Sequence, residues 1–187
     1  ATSSFYKGEN HKTFRDMFLE AATVNGLVMD DLEKELCYSF VLQHPENRIV
    51  VPFTHPQLYL VAVYSIANEP DNIYVHVHHS HNYKDKFYVL NTTVKFPEIY
   101  SFDKYSNLIE RFGLPTTKYN VVGVVLHNRY TGERAKIRNP LYEHVRKLRG
   151  NQPKLQYHYL CLRKDGKVGH FLKYFPENKA EFSKFRE

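Results

Sequence analysis

A chain of 187 residues, of which 42% are hydrophobic and 25% are charged, can bury a core, and this composition excludes an intrinsically disordered protein. No apolar run approaches the length of about 18 residues that a membrane-spanning helix needs, and the two cysteines do not indicate a disulfide framework. We therefore expect no membrane partner and an intracellular location, either cytoplasmic or nuclear. The formal net charge of +6 favours an anionic partner, although a basic surface alone would also account for it.

The N-terminal half of the chain carries the signals of one helix followed by several strands. Apolar residues at helical spacing predict a helix over residues 11–22, and Asn25 with Gly26 provides its stop. Runs rich in β-branched and aromatic residues then predict strands, which turn signals separate. These strands are expected over residues 37–43, 48–53, 58–66 and 73–83.

The C-terminal half begins with a predicted helix over residues 102–112, which Gly113 and Pro115 close. Two strands follow, joined by a turn around residues 130–132, and the chain turns helical beyond Pro140. This order predicts an α+β fold with antiparallel strands and a helical C-terminal end. We expect one domain, with a β-rich core over residues 1–139 and a helical extension over residues 140–187.

Lys136 and Arg138 form the first candidate site. Residues two apart in a strand point to the same face, so both cations project together. Residues 121–126 are continuously apolar, which is typical of a strand covered on both faces, so the pair is expected at the margin of a buried sheet. A cation there needs a partner, because burying an unpaired charge is costly. A carboxylate would serve a structural role and a phosphate a functional one, and the spacing leaves both open.

Two longer stretches resemble one protein family. The stretch CYSFVLQHPENRIVVPFTHPQLYLVAV at residues 37–63 is followed by VVGVVLHNRYTGERAKIRNPLYEHVRKLRGN at residues 121–151. In this order and at this separation, they resemble the RNA ligases of phages and viruses, which are covalent nucleotidyltransferases related to DNA ligases and mRNA capping enzymes. The resemblance extends from Ser3 to about Phe175 and implies a nucleotidyltransferase core built on antiparallel sheets.

Such ligases transfer AMP from ATP to an active-site Lys and then to an RNA 5′-phosphate, which a 3′-hydroxyl attacks. The resemblance therefore implies ATP and Mg²⁺ as cofactors and RNA as the partner. It places Lys136 and Arg138 in the last nucleotidyl motif, as catalytic and nucleotide-binding residues whose charges meet the ATP phosphates. It places Phe40 against the adenine, where an ordinary core position is the alternative.

The chain departs from the family pattern in three places. The Lys-x-(Asp/Glu)-Gly motif of the nucleophile is absent, and residues 1–4 resemble the segment after this motif, so the nucleophilic Lys is expected upstream. The family's Glu-Gly-Val-Val motif has Val122 in place of its Glu, and Val41 replaces an acidic residue after Phe40. Valine cannot coordinate Mg²⁺, which takes oxygen ligands, and we assign no metal ligand.

Further cations are candidates for RNA contact through the phosphate backbone. Arg146, Lys147 and Arg149 share a predicted helix after Pro140, where a solvated basic face near the helix C-terminus is the alternative. Arg48 follows a predicted turn and either reaches RNA or pairs with a carboxylate.

Two functions remain open at this point. We predict an RNA ligase-type nucleotidyltransferase domain that binds ATP or AMP and RNA ends, and that joins a 5′-phosphate to a 3′-hydroxyl if an upstream Lys is present. The alternative is a non-catalytic RNA-binding module with the same fold, which Val122 and Val41 favour. His76 and His78 share a strand face and have the spacing of a zinc-binding pair, with ordinary polar strand positions as the alternative.

Overall fold

The structure is a computed structural model that describes residues 12–69, 72–128, 130–152 and 154–186. The described residues form two units, each with its own hydrophobic core. The first unit contains the chain up to Arg48 together with Pro52–Tyr100, and the second contains Ile49–Val51 together with the chain from Ser101 onward. The predicted boundary between residues 139 and 140 falls inside the second unit. Residues 1–4, which are expected to follow a nucleophile motif, lie outside the described residues.

The first unit combines a helix with an antiparallel meander. Helix α1 (Phe14–Val24) begins at a capping box, in which the Thr13 hydroxyl accepts from the Asp16 amide at 3.0 Å and the Asp16 carboxylate accepts from the Thr13 amide at 3.1 Å. Three strands pair in chain order, and a short helix follows them. These elements are β1 (Leu36–Gln43), β2 (Gln57–Glu69), β3 (Asn72–His79) and α2 (Lys84–Val89).

The core of the first unit lies between one face of this sheet and the two helices. Its buried members are Ala21, Ala22, Leu27, Leu58, Leu60, Val63, Phe87 and Val94. Asn25 ends α1 and is buried. Its side-chain oxygen accepts hydrogen bonds from the Gln57 side-chain amide at 2.9 Å and from the Leu58 backbone amide at 2.7 Å, which satisfy this polar group in the core. The predicted stop at Asn25 therefore also ties α1 to the start of β2.

The second unit combines a two-stranded sheet with five α-helices among its described residues. Helix α3 (Tyr105–Phe112) precedes a hairpin of β4 (Gly123–His127) and β5 (Arg134–Arg138). The remaining helices are α4 (Pro140–Arg149), α5 (Leu155–Lys164), α6 (Val168–Tyr174) and α7 (Lys179–Lys184). The buried core of this unit consists of Val50, Val145, Leu148, Tyr159, Leu162, Phe171, Phe175 and Phe182.

The α+β class, the antiparallel strands and the helical character of the described residues beyond Pro140 are confirmed. The predicted strand over residues 48–53 is wrong, because this segment forms no strand and Val50 is buried in the core of the second unit. A short apolar run indicates burial but does not specify a strand, and Pro52 has no N–H to donate to a ladder. None of the described helices is long and apolar enough to cross a membrane.

Candidate nucleic-acid interface

The hairpin of β4 and β5 carries a row of cations on one face. Its register pairs Gly123 with Arg138, Val125 with Lys136, and His127 with Arg134. Paired and alternate residues share a face, so the three cations of β5 project to the same side of the hairpin. All three are exposed, and Val125 on β4, which pairs with Lys136, is 55% exposed. The prediction that Lys136 and Arg138 share a face is confirmed, and Arg134 extends the row.

The expectation that β4 is covered on both faces is wrong. Val125 is exposed on the face that carries the cations, because this sheet has two strands among the described residues and the rest of the second unit packs against its other face. Val122, which directly precedes β4, is also exposed. On that other face, Ile137 lies against α3, where a side-chain methyl of Ile137 would be 3.2 Å from a Cβ at Gly113. The cations therefore lie on an open hairpin face rather than at the margin of a buried sheet.

Gly123 allows the two strands to approach. Its φ is +133°, and a Cβ at this position would overlap the carbonyl oxygen of Ile137. Gly123 is the glycine of the Glu-Gly-Val-Val motif named above. In this chain a glycine is required there by the close backbone contact at the base of the hairpin.

Glu143 links the hairpin to α4. Arg138 Nη1 lies 3.6 Å from Glu143 Oε1, and Arg146 Nη2 lies 3.1 Å from Glu143 Oε2. The Arg138 side chain nevertheless keeps 58% of its surface exposed. An exposed ion pair contributes only about 0.2–1 kcal/mol, so an incoming phosphate can compete for Arg138.

The start of α4 is fixed by Asn139, which is buried. Its side-chain oxygen accepts from the Leu141 amide at 2.9 Å, and its side-chain nitrogen donates to the carbonyl oxygens of Lys118 and Val121, each at 2.8 Å. Pro140 occupies the first turn, as the sequence predicts. Asn139 directly follows β5, so these three hydrogen bonds of its side chain also fix where the cationic strand ends.

The three predicted cations of α4 do not form one row. Arg146 and Arg149 are three residues apart and share a helix face, whereas Lys147 lines a pocket of about 400 Å³ in the second unit. The pocket is bounded by α4, α5 and α6 and the turn after α5, through His144, Lys147, Leu148, Gln152, His158, Cys161, Leu162, Asp165, Lys167 and His170. Burial lowers the pKa of His158, and the Arg149 cation lowers it further, against the opposing effect of a hydrogen bond with the Leu148 backbone.

The other two predicted site residues belong to the first unit. Phe40 is half-buried and packs against its core, with its ring centroid 6.0 Å from that of Phe18 and 6.3 Å from that of Phe87. Arg48 is half-buried and is the last residue of the first unit before Ile49, which belongs to the second unit. The adenine-binding role of Phe40 and the RNA-binding role of Arg48 stay predictions.

One exposed aromatic residue was missed by the sequence reasoning. Tyr130, in the turn between β4 and β5, is 99% exposed. Asn128 orders this turn, because its side-chain oxygen accepts from the Tyr130 amide at 2.9 Å and from the Thr131 amide at 3.2 Å. The turn itself was predicted, but nothing in the local pattern indicates that the tyrosine ring points to solvent.

The donor set does not fit Mg²⁺ at the family's positions. Val122 and Val41, which replace the expected carboxylates, are both exposed and have no oxygen ligand to offer. Within the part of the chain that the structure describes, no three His, Cys, Asp or Glu side chains converge on one point. Of the His-x-His pair, His78 has its Nε2 2.9 Å from the Ser65 hydroxyl, while His76 is exposed.

No protein-family model matches this chain, and a comparison with curated proteins finds no match either. The function of this chain is therefore inferred from the residues of the hairpin and of α4.

Proposed function

We propose that this chain is an RNA-binding module, and that the open face of the β4–β5 hairpin is its contact surface for single-stranded RNA. The observation that supports this proposal is the row of Arg134, Lys136 and Arg138 on one exposed strand face, together with the exposed Tyr130 in the turn that joins β4 and β5. An open face of this kind supports contact with an extended RNA strand more than it supports the enclosure of a nucleotide in a pocket.

The spacing of the cations suits an extended anionic chain. Alternate residues of a strand are about 7 Å apart, so the three side chains can follow successive phosphates of a backbone without forming a closed pocket. The net charge of +6 adds a weaker, long-range attraction for polyanions. Arg146 is joined to the row through Glu143 and continues the positive surface onto α4.

Tyr130 favours a nucleic acid over other polyanions. A base stacked on an exposed aromatic ring contributes about 1–3 kcal/mol and needs no particular sequence. The backbone amides of Tyr130 and Thr131 donate hydrogen bonds to the Asn128 side chain, which hold the backbone of the turn in place, so less conformational entropy is lost when a base stacks there.

The salt dependence of RNA binding tests the cationic row. Replacing Arg134, Lys136 and Arg138 together by Gln should lower the affinity for a single-stranded RNA and flatten the plot of log Kd against log salt by about 2, because each lost phosphate contact on a single strand removes about 0.7. The matched control replaces the exposed Lys34, Lys104 and Lys179 by Gln, which removes the same charge. Equal slopes for the two triple variants would mean that only the net charge matters and would overturn the proposal.

A second comparison tests the aromatic contact. Tyr130→Ala should weaken single-stranded RNA binding about 5-fold or more while leaving heparin binding unchanged, because heparin offers sulfates but no bases. Tyr88→Ala, at another highly exposed tyrosine on α2, is the matched control and should change neither affinity. A parallel loss of heparin binding by Tyr130→Ala would contradict a stacking role. Single-stranded DNA of the same sequence then measures the preference for RNA.

The second candidate is the nucleotidyl transfer that the resemblance implies, with ATP, Mg²⁺ and RNA ends. One observation favours it: Lys136 and Arg138 share an exposed face on which both could meet phosphates. The valines at positions 122 and 41 favour the binding module instead.

Labelled ATP distinguishes the two candidates. If the chain with its upstream sequence transfers AMP, incubation with labelled ATP and Mg²⁺ leaves a covalent adduct, and Lys136→Ala weakens nucleotide binding in a direct titration because one phosphate partner is lost. The binding module predicts no adduct together with salt-sensitive RNA binding. An adduct formed equally well by Lys136→Ala would remove Lys136 from the nucleotide site.

A further inference from the structure

The pocket bounded by α4, α5 and α6 carries an excess of positive charge. Lys147 and Lys167 both line it, and Asp165 is the one carboxylate among its described lining residues. Lys167 pairs with Asp165 at 3.1 Å, but both side chains are exposed, so an incoming anion can compete for this lysine. Lys147 has no carboxylate partner in the part of the chain that the structure describes. The pocket therefore presents a cation whose charge is not balanced by its surroundings.

A direct hydrogen bond between two histidines joins α4 to α6 at this pocket. The Nε2 atoms of His144 and His170 lie 2.8 Å apart, with ring centroids at 5.1 Å, so one ring donates and the other accepts. In the accepting ring the proton is on Nδ1, and this N–H can donate to an anion. Lys147 follows His144 by three residues and Lys167 precedes His170 by three, so the contact between the rings also brings both lysines to the same pocket.

The inner wall of the pocket is apolar. Leu148 and Leu162 are buried, and His158 is 6% exposed with its ring packed edge-on against Phe171, at a centroid distance of 5.1 Å. A wall of this kind lowers the local dielectric constant and strengthens the attraction between the lysines and an anion. The volume of about 400 Å³ lies within the range of about 300–1,000 Å³ that is typical of small-molecule sites.

The charge and shape of the pocket indicate a terminal phosphate. A phosphate monoester carries a charge of about −1.5 to −2 near neutral pH and has three strong acceptor oxygens, which matches two lysines better than a singly charged sulfate ester does. The Gln152 side-chain amide, which also lines the pocket, offers a further donor. A concave pocket accommodates the end of a molecule, whereas an internal phosphodiester continues on both sides and suits the open hairpin face instead.

We propose that this pocket binds a terminal phosphate group, with Lys147 and Lys167 as its charge partners. The phosphate of a small phosphomonoester and that at the end of an RNA chain offer the same group, and titration with both kinds of ligand distinguishes them. The proposal does not depend on RNA binding by the β4–β5 hairpin, whose cations are separate from the lining of the pocket.

Phenyl phosphate and phenyl sulfate test the site, because they share one organic body and differ in charge. We expect saturable binding of phenyl phosphate with a Kd of about 1 mM or lower, and phenyl sulfate binding that is weaker by about 5-fold or more. Lys147→Gln/Lys167→Gln should weaken phenyl phosphate binding by about 10-fold or more, because both charge partners are lost. The matched control is Lys164→Gln/Lys173→Gln, which removes the same charge from exposed positions on α5 and α6 outside the lining and should change the Kd by less than about 2-fold. All four lysines are exposed, so circular dichroism of both variants should match the wild type.

Two RNAs of one sequence, with and without a terminal phosphate, identify the source of the group. If the pocket takes an RNA end, the terminal phosphate raises the affinity of the wild type, and this increase disappears in Lys147→Gln/Lys167→Gln. Equal affinities for the two RNAs, together with binding of phenyl phosphate, assign the pocket to small phosphomonoesters.

Three results would overturn the proposal: no saturable binding of phenyl phosphate, equal affinities for phenyl phosphate and phenyl sulfate, or equal losses in the two double-lysine variants. Replacing Arg134, Lys136 and Arg138 together by Gln should leave phenyl phosphate binding unchanged, because these side chains lie outside the pocket lining. Failure of the hairpin as an RNA surface and failure of the pocket as a phosphate site are therefore separate outcomes.

Discussion

Two buried polar side chains, those of Asn139 and His158, connect neighbouring elements of the second unit. Asn139 donates to two carbonyl oxygens before β4 and accepts from the first turn of α4, so one side chain joins the loop, the end of β5 and the helix. His158 is buried among α4, α5 and α6 with only one ring nitrogen paired. Such groups are sensitive points, because an unsatisfied buried donor or acceptor costs about 1–3 kcal/mol.

His158 should make the second unit sensitive to acid. Its pKa is lowered from the ordinary value of 6.5, so below about pH 6.5 the unfolded chain takes up a proton that the folded chain resists. Its contribution to stability is therefore complete above pH 6.5 and is lost as the pH falls towards its folded pKa, with a slope of at most about 1.4 kcal/mol per pH unit. The pH dependence of hydrogen exchange at the α5 amides measures this slope.

The control for this pH dependence is His158→Gln, which should flatten the slope between pH 7.5 and 5.5, whereas His76→Gln, at an exposed position, should not. A slope that persists unchanged in His158→Gln would assign the acid sensitivity to other groups.

At the scale of elements, the sequence correctly predicts the helices and strands that are determined by residues close together in the chain. Helix α3, the hairpin of β4 and β5, and the start of α4 at Pro140 all follow from local spacing and turn residues. The predicted strand over residues 48–53 is wrong because Val50 is buried by partners far along the chain, which periodicity does not reveal. For the same reason, the apolar residues 121–126 predicted a doubly covered strand that the structure leaves open on one face.

The candidate sites show the same limit. Alternation along β5 placed Lys136 and Arg138 on one face, because a strand repeats every two residues. The exposure of Tyr130 depends on the turn that Asn128 stabilises, and the pairing of His144 with His170 joins residues 26 positions apart. Neither could be predicted without knowing how the elements pack.

Gly123 should be essential for the hairpin. Gly123→Ala adds a Cβ that overlaps the Ile137 carbonyl at a φ of +133°, so we expect the free energy of unfolding of the second unit to fall by about 3 kcal/mol or more. Gly132→Ala is the matched control: its φ is +74°, but its Cβ would meet no atom within 4 Å, and it should cost only about 1 kcal/mol. Urea unfolding of the two variants compares them, and equal costs would refute the role of the close backbone contact.

For the molecule as a whole, the residues of the two cores are not separated into two consecutive stretches of the chain. Ile49–Val51 lies between stretches of the first unit but belongs to the second, where Val50 is fully buried beside Val145 and Phe171 in one cluster. The exchange of α5 and α6 amides should therefore respond to a substitution that is distant from them in sequence.

Val50→Ala should lower the free energy of opening measured at these amides by about 2 kcal/mol, because it removes buried methyl groups and leaves a cavity. Its neighbour Ile49 is half exposed, so Ile49→Ala is a matched control that should change the same amides by less than about 0.5 kcal/mol. Faster exchange confined to β1 and β2 in Val50→Ala would show that Val50 supports the other core.

The placement of Val50 also has a consequence for biosynthesis. A ribosome releases Val50 long before Phe182, the last buried member of the same cluster, and at about 5–20 residues per second this interval lasts several seconds. During that time the valine has no core to enter, while residues on either side of it are already free to begin folding. Completion of the helical cluster must therefore wait for the C-terminal helix, and a chaperone would meet this nascent chain with an apolar segment still uncovered.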